Sequence, residues 1–171
     1  MNEKVILVDR NDKEVGLMEK IEAHEKGLLH RAFSVFIFNE KGDLLLQQRS
    51  GEKYHSPKLW TNTCCSHQRK GEKSINAANR RLMEEVGLEC DLTFSFKFIY
   101  KTPFDNGLTE HELDYVFIGV TSDEPQINTE EVMNYKYLSL DEIKKDVLIR
   151  PELYTSWFKI CLPKLMSLSK F

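Results

Sequence analysis

"SINAANRRLMEEVG", Ser74 to Gly87, reads as a helix with its ends marked. Ile75, Ala78, Leu82 and Val86 recur at helical intervals and form one apolar stripe, so the segment lies with that face on a core. Ser74 is the expected N-cap and Gly87 the expected C-terminal stop. At about 100° per residue, Arg81 and Glu85 fall on the margin of the stripe, while Arg80 and Glu84 point further out. The helix therefore offers one carboxylate, Glu85, that can reach inward and hold a hard cation such as Mg²⁺. Arg80 and Glu84 are expected as an i,i+4 pair on a solvated face.

The segments around this helix read as strands. "AFSVFIFN" (Ala32–Asn39), "EKGD" and "LLLQQR" (Leu44–Arg49) predict a hairpin. Its first strand is apolar on both faces and should be central in a sheet. "KVILVD" (Lys4–Asp9) and "EVGLME" (Glu14–Glu19) flank the turn "RNDK" and predict a second hairpin. "MEKIEAHEKG" predicts a short helix stopped at Gly27. Further strands are expected at Phe94–Lys101, Glu112–Val120 and Asn134–Leu138, a short helix over Leu140–Asp146, and a closing helix from about Thr155 that Pro163 disturbs. The mixture is α+β: a mixed β-sheet with helices packed on it.

Composition narrows the function. The chain has 171 residues, 41% of them hydrophobic and 30% charged in mixed signs, which suits one domain with a sizeable core. A net charge of -3 argues against a general nucleic-acid binder. No apolar run approaches the ~20 residues that span a bilayer. The charged start of the chain is unlike a signal peptide, so the four cysteines are expected in a reducing cytosol. Cys90 and Cys161 read as buried core thiols.

Several side chains carry possible chemistry. In "TEHELDYVF", Glu110 and Glu112 leave a strand on the same side, about 6.6 Å apart at Cα. Two such carboxylates repel unless a cation lies between them. His24 and His30 flank Gly27, and His67 follows Cys64 and Cys65 in "WTNTCCSH". Three imidazoles and two carboxylates suit Zn, Mn or Fe. His55 and His111 are read as structural or solvent-facing. Lys20, Arg49, Lys53 and Arg81 could form a local anion pocket, with Arg49 bidentate to phosphate.

Ser66 through Leu88 resembles the Nudix box, G-x5-E-x7-R-E-U-x-E-E-x-G-U, at Glu72, Arg80, Glu84, Glu85, Gly87 and Leu88. Ser66 stands in place of the first Gly, and Arg81 in place of the Glu that follows the Arg. The second change removes a carboxylate that Nudix hydrolases use to gather metal ions. "AHEKGLLH", "WTNTCCSH", "TEHE" and "EVMNY", in that order, are similar to type I isopentenyl-diphosphate isomerases, a Nudix branch that does not hydrolyse.

The resemblance implies a Nudix-like mixed sheet with helices on both sides, as a single isomerase domain over residues 1–171. It implies interconversion of isopentenyl and dimethylallyl diphosphate in isoprenoid biosynthesis. Cys65 and Glu112 match the family's acid/base pair. His24, His30, His67, Glu110 and Glu112 match its buried metal ligands, for Mn²⁺ or Zn²⁺, and Glu85 matches a Mg²⁺ ligand. Lys20, Arg49, Lys53 and Arg81 match diphosphate contacts, and Tyr100 and Trp157 match aromatics of the hydrocarbon pocket. The implied partner is a small diphosphate, with no nucleic acid and no membrane, in the cytoplasm. The alternatives are a Nudix hydrolase of a nucleoside-diphosphate derivative, disfavoured by Arg81, and a metal-stabilised binding module, which would leave Cys65 without a task.

Overall fold

A computed structural model describes residues 3–168. The chain runs β1 (Lys4–Val8), β2 (Glu14–Glu19), α1 (Lys20–Lys26), β3 (His30–Phe38), β4 (Leu44–Arg49), β5 (Trp60–Thr61), β6 (Cys64–Ser66), α2 (Ser74–Val86), β7 (Thr93–Pro103), β8 (Thr109–Val120), β9 (Val132–Leu138), α3 (Leu140–Ile149) and α4 (Ser156–Met166). The nine strands described form one mixed sheet.

β3 is its axis. One edge pairs in parallel with β8 along the whole strand, from His30 opposite Glu112 to Phe38 opposite Val120. The other edge is shared by β1 at His30, β6 at Phe33–Val35 and β4 at Phe38. The expected β3–β4 hairpin is therefore corrected: its turn forms, but the strands part after the Phe38–Leu44 pair, and β4 goes on to pair with β9 and β5. The β1–β2 hairpin forms as expected, Val5 opposite Met18 and Leu7 opposite Gly16.

The two apolar faces of β3 serve two helix layers. Phe33, Val35 and Ile37 pack with Ala78, Leu82 and Val86 of α2. Phe36 and Phe38 pack with Ile143 of α3 and with Trp157, Phe158, Cys161 and Leu165 of α4. Alternation along a strand sends successive side chains to opposite faces, so a strand covered on both sides reads as a continuous apolar run.

Several local expectations shift. Ser74 is the first residue of α2, and Lys73 occupies the cap without a side-chain hydrogen bond. The Ser74 hydroxyl instead donates to Gln68 Oε1 at 2.5 Å, tying the helix start to the preceding loop. α3 continues one turn past Asp146 to Ile149, behind a capping box of Ser139 and Glu142. α4 runs through Pro163, whose missing N–H leaves the Lys159 carbonyl without its usual donor. Cys161 is buried as expected, whereas Cys90 is half-buried. Gly27 and Gly87 end α1 and α2 at φ of 59° and 64°, left-handed conformations that glycine adopts without a Cβ penalty.

Candidate active site

Four segments bring the ionisable side chains together. α1 carries His24, and the first residue of β3 is His30. β6 delivers Cys65 and, just past its end, His67. β8 delivers Glu110 and Glu112 on one face, with Asp114 next on that face. β6 and β8 flank β3 on its two edges, so Cys65 and Glu112 reach the same cavity from either side of the central strand.

That cavity, about 60 Å³ in volume, is lined by Lys20, Arg49, Lys53, Cys65, His67, Arg81, Glu85, Tyr100, Glu110, Glu112 and Trp157. Gln47, Tyr54, His55 and Ser66 complete the wall. Space of this size admits only a few waters. His24 and His30 lie beneath it, fully buried, with ring centroids 4.9 Å apart and 6.0 and 5.1 Å from that of His67. The structure thus brings every expected site residue into one place.

The two cysteines part at this point. Adjacent strand residues face opposite ways, and Cys64 packs with the α2 layer while Cys65 faces the α4 side, where the cavity lies. Burial pushes the Cys65 thiol up, so it keeps its proton.

Two of the histidine rings are fixed by backbone carbonyls. His24 Nδ1 lies 2.6 Å from the Lys20 carbonyl and His30 Nδ1 lies 2.8 Å from the Leu28 carbonyl. Each Nε2 is then left buried without a hydrogen-bond partner. His67 Nε2 lies 3.0 Å from Glu112 Oε1, and His30 Nε2 lies 3.5 Å from the same oxygen. Donor atoms of His24, His30, His67 and Glu112 all lie within 4.8 Å of one another. Burial pushes His24 down to about 4 and lowers His67, which favours the neutral imidazole at both. Orphaned buried nitrogens are costly, and a divalent cation would satisfy them. The residues fit a metal ion.

The carboxylates differ in charge. Burial, then the neighbouring Glu112 charge, pushes Glu110 well up. Burial acts on Glu112 as well, but the imidazoles of His30 and His67 outweigh it and hold Glu112 well below the usual carboxylate range. The Tyr100 hydroxyl lies 3.0 Å from Glu110 and 2.5 Å from Glu112. With a single proton it can donate to ionised Glu112 while accepting from protonated Glu110. Tyr100 was expected as a pocket aromatic; its polar end is as much part of the site as its ring.

The cations line the same cavity, mostly paired. Lys20 meets Glu3 at 2.9 Å, Lys53 meets Glu131, and Arg81 meets Glu85 at 2.5 Å and Glu131 at 3.3 Å. Arg49 donates to the carbonyls of Ser56 and His55 and lies over the Trp157 ring at 5.1 Å. Glu85 is 4% exposed and accepts from Gln47 at 2.8 Å. Arg80 takes Glu72 at 2.9 Å as its main partner, with Glu84 further off at 3.3 Å, so Arg80 secures the loop before α2 as well as its own helix.

Sequence reasoning missed four residues. His55, read as structural or solvent-facing, is 6% exposed, and its Nε2 lies 3.4 Å from Glu110; its loop has no periodicity to reveal the burial. Its companion His111 is half-buried against the Gly27 carbonyl, a structural role. Asp114 accepts from Ser34 at 2.8 Å on the same face as Glu110 and Glu112, and that alternation was visible in "EHELD". Gln47 carried no motif signal, and Glu131 opened the "EVMNY" stretch without being singled out.

A model of the NUDIX domain matches residues 28–158, most of the chain, which therefore belongs to the Nudix family. The "Isopentenyl-diphosphate Delta-isomerase" of Pectobacterium atrosepticum is 55% identical over 95% of this chain and 90% of its own length. The "Isopentenyl-diphosphate Delta-isomerase 2" of Aromatoleum aromaticum is 47% identical over 98% of this chain and 88% of its own. Relatives this similar place the chain in the isopentenyl-diphosphate Delta-isomerase branch of the family. A crystal structure from Deinococcus radiodurans shares the fold at a TM-score of 0.72, with 20% identity, covering 86% of this chain and 90% of that one. The MutT protein of Methanosarcina mazei shares it at 0.69, with 18% identity, covering 84% and 96%.

Proposed function

We propose that this protein interconverts isopentenyl diphosphate and dimethylallyl diphosphate by moving protons, leaving the diphosphate intact. The observation that carries the reading is the convergence of Cys65 and Glu112, from the two edges of β3, on one narrow cavity that Lys20, Arg49, Lys53 and Arg81 also line. An allylic shift needs one proton added and another removed, in a site closed to water.

Lys20, Arg49, Lys53 and Arg81 bind the diphosphate, and binding there directs the five-carbon chain inward toward Cys65 and Glu112. The Cys65 thiol and the Glu112 carboxyl exchange protons with the two carbons that change hybridisation. Tyr100 orients Glu112 and Glu110 through its hydroxyl. Trp157 presents an aromatic face to positive charge developing on the chain. His24, His30, His67, Glu110 and Glu112 would hold Mn²⁺ or Zn²⁺, and Glu85 Mg²⁺, supplying positive charge that fixes ionised Glu112 and neutralises the diphosphate. The four free cysteines support a reducing compartment, and we assign the protein to the cytoplasm. No helix among the described residues is long and apolar enough to cross a membrane.

The hydrolase alternative lacks a carboxylate at Arg81, which contributes a guanidinium beside Glu85 instead. One incubation in D₂O separates the two readings. Deuterium in dimethylallyl diphosphate by NMR, without phosphate release, is the expected result. Phosphate released at the rate of substrate loss, with no deuterium uptake, would replace isomerisation by hydrolysis.

A further inference from the structure

His55 faces the same buried space as the metal-ligating set. It lies on the connection from β4 to β5, with its carbonyl accepting from Arg49 at 3.2 Å. Its ring stacks on Phe104 at 4.8 Å and meets Trp157 edge-on at 5.7 Å. This packing turns Nε2 toward Glu110, 3.4 Å away. Donor atoms of His24, His55 and Glu110 all lie within 4.8 Å of one another, as do those of His24, His30, His67 and Glu112.

The two sets meet at His24. Its Nδ1 is engaged by the Lys20 carbonyl, which leaves Nε2 as the one nitrogen free to ligate. A single imidazole lone pair serves a single ion, so an ion held at His24 Nε2 would have both sets as its neighbours. Donors about 2.1 Å from an ion and at right angles to each other stand roughly 3.0 Å apart. The separations here are 3.0 Å for His67–Glu112, 3.5 Å for His30–Glu112 and 3.4 Å for His55–Glu110, close to the edges of such a shell.

We propose that His55 is a further ligand of the divalent ion, completing a six-donor shell with His24, His30, His67, Glu110 and Glu112. The proposal rests on the metal reading of that site given above. It has two consequences. A shell filled by protein leaves no open position for a water, so the ion fixes geometry and charge and generates no hydroxide. The ion also ties down the β4–β5 connection, which carries Lys53 and is gripped by Arg49, and so couples metal occupancy to the anion pocket.

The test is Co²⁺ titration of the metal-depleted protein, wild type and His55→Gln, followed by proton NMR of the paramagnetic complex in H₂O. Each coordinated imidazole contributes one strongly shifted, exchangeable N–H signal. Wild type should bind one Co²⁺ at the histidine site and show four such signals, from His24, His30, His55 and His67. His55→Gln should show three and bind Co²⁺ at least ten- to a hundredfold more weakly, the loss that even an outer-shell partner causes. Three signals in wild type, unchanged in His55→Gln, would reduce His55 to a hydrogen-bond partner of Glu110 and overturn the proposal. A wild-type protein that binds no Co²⁺ would overturn the metal reading itself. Circular dichroism of both metal-free proteins checks the fold, and the wild-type signal count decides the question even if the variant is unstable.

Discussion

The Tyr100 hydroxyl lies 2.5 Å from Glu112, directly across the β7–β8 ladder. Its ring packs on Phe98 at 5.6 Å, so the aromatic wall and the polar contact belong to one side chain. Tyr100→Phe separates them. The ring and its packing remain, while Glu112 loses a hydrogen-bond donor. We expect kcat to fall by about a hundredfold, in the range for a positioned proton-transfer group, with KM little changed. Steady-state kinetics on isopentenyl diphosphate measure both. A variant with wild-type kcat would confine Tyr100 to the hydrocarbon wall.

Cys64 and Cys65 give a paired prediction because they face opposite sides of the sheet. Cys65→Ala should abolish turnover and leave the affinity for inorganic pyrophosphate near wild type. Cys64→Ala removes a small fully buried side chain from the α2 layer and should cost about 1 kcal/mol of stability with turnover retained. Equal loss of turnover in both variants would contradict the assignment.

Much of this arrangement was legible from local signals. Gly27 and Gly87 marked the ends of α1 and α2 because a left-handed C-terminal residue is a local requirement. The stripe from Ala78 to Val86 marked the buried face of α2, and Glu85 at its margin proved to line the cavity. The pairing of β3 with β8 was not legible. It joins strands far apart in the chain, and nothing near "EKGD" signals that Leu44 will leave β3 after one pair. The separate faces of Cys64 and Cys65 followed only once β6 was known to pair with β3. The proposed ligand roles came from a resemblance spanning several motifs, and His55 lay outside all of them.

The Glu72–Arg80 pair anchors the loop that carries His67 to the start of α2, and it predicts a pH effect on stability. Two guanidinium nitrogens of Arg80 lie 2.9 Å from the two Glu72 oxygens, and the Arg69 backbone N–H donates to the same carboxylate at 2.9 Å. The Arg80 hydrogen bonds, against a smaller opposing effect of burial, hold Glu72 below its ordinary value of 4.5. A carboxyl with a depressed folded-state pKa stabilises the protein above its unfolded value and loses that contribution as pH falls through the folded one. Glu72→Gln should therefore lower Tm at neutral pH. The difference from wild type should shrink as pH falls below about 4.5. Melting curves of both proteins from pH 7 to pH 3 check this; a gap that stays constant or widens on acidification would rule out the pair as its source.

Arg49 joins the anion pocket to the aromatic wall. It is 8% exposed, its fork is aimed by the carbonyls of Ser56 and His55, and it rests on Trp157. Its structural partners are neutral, whereas Lys20, Lys53 and Arg81 each meet a carboxylate. Diphosphate contacts from Arg49 therefore form without first breaking an ion pair. A charge-assisted hydrogen bond contributes about 1.5–3 kcal/mol, so Arg49→Ala should weaken pyrophosphate binding by roughly ten- to a hundredfold. Arg49→Lys keeps the charge but not the planar fork that reaches both loop carbonyls and phosphate, so it should recover only part of the affinity. Calorimetric titration with pyrophosphate and Mg²⁺ orders the three proteins. Full recovery in Arg49→Lys would mean that charge alone matters at this position, and unchanged affinity in Arg49→Ala would move the diphosphate away from Arg49 altogether.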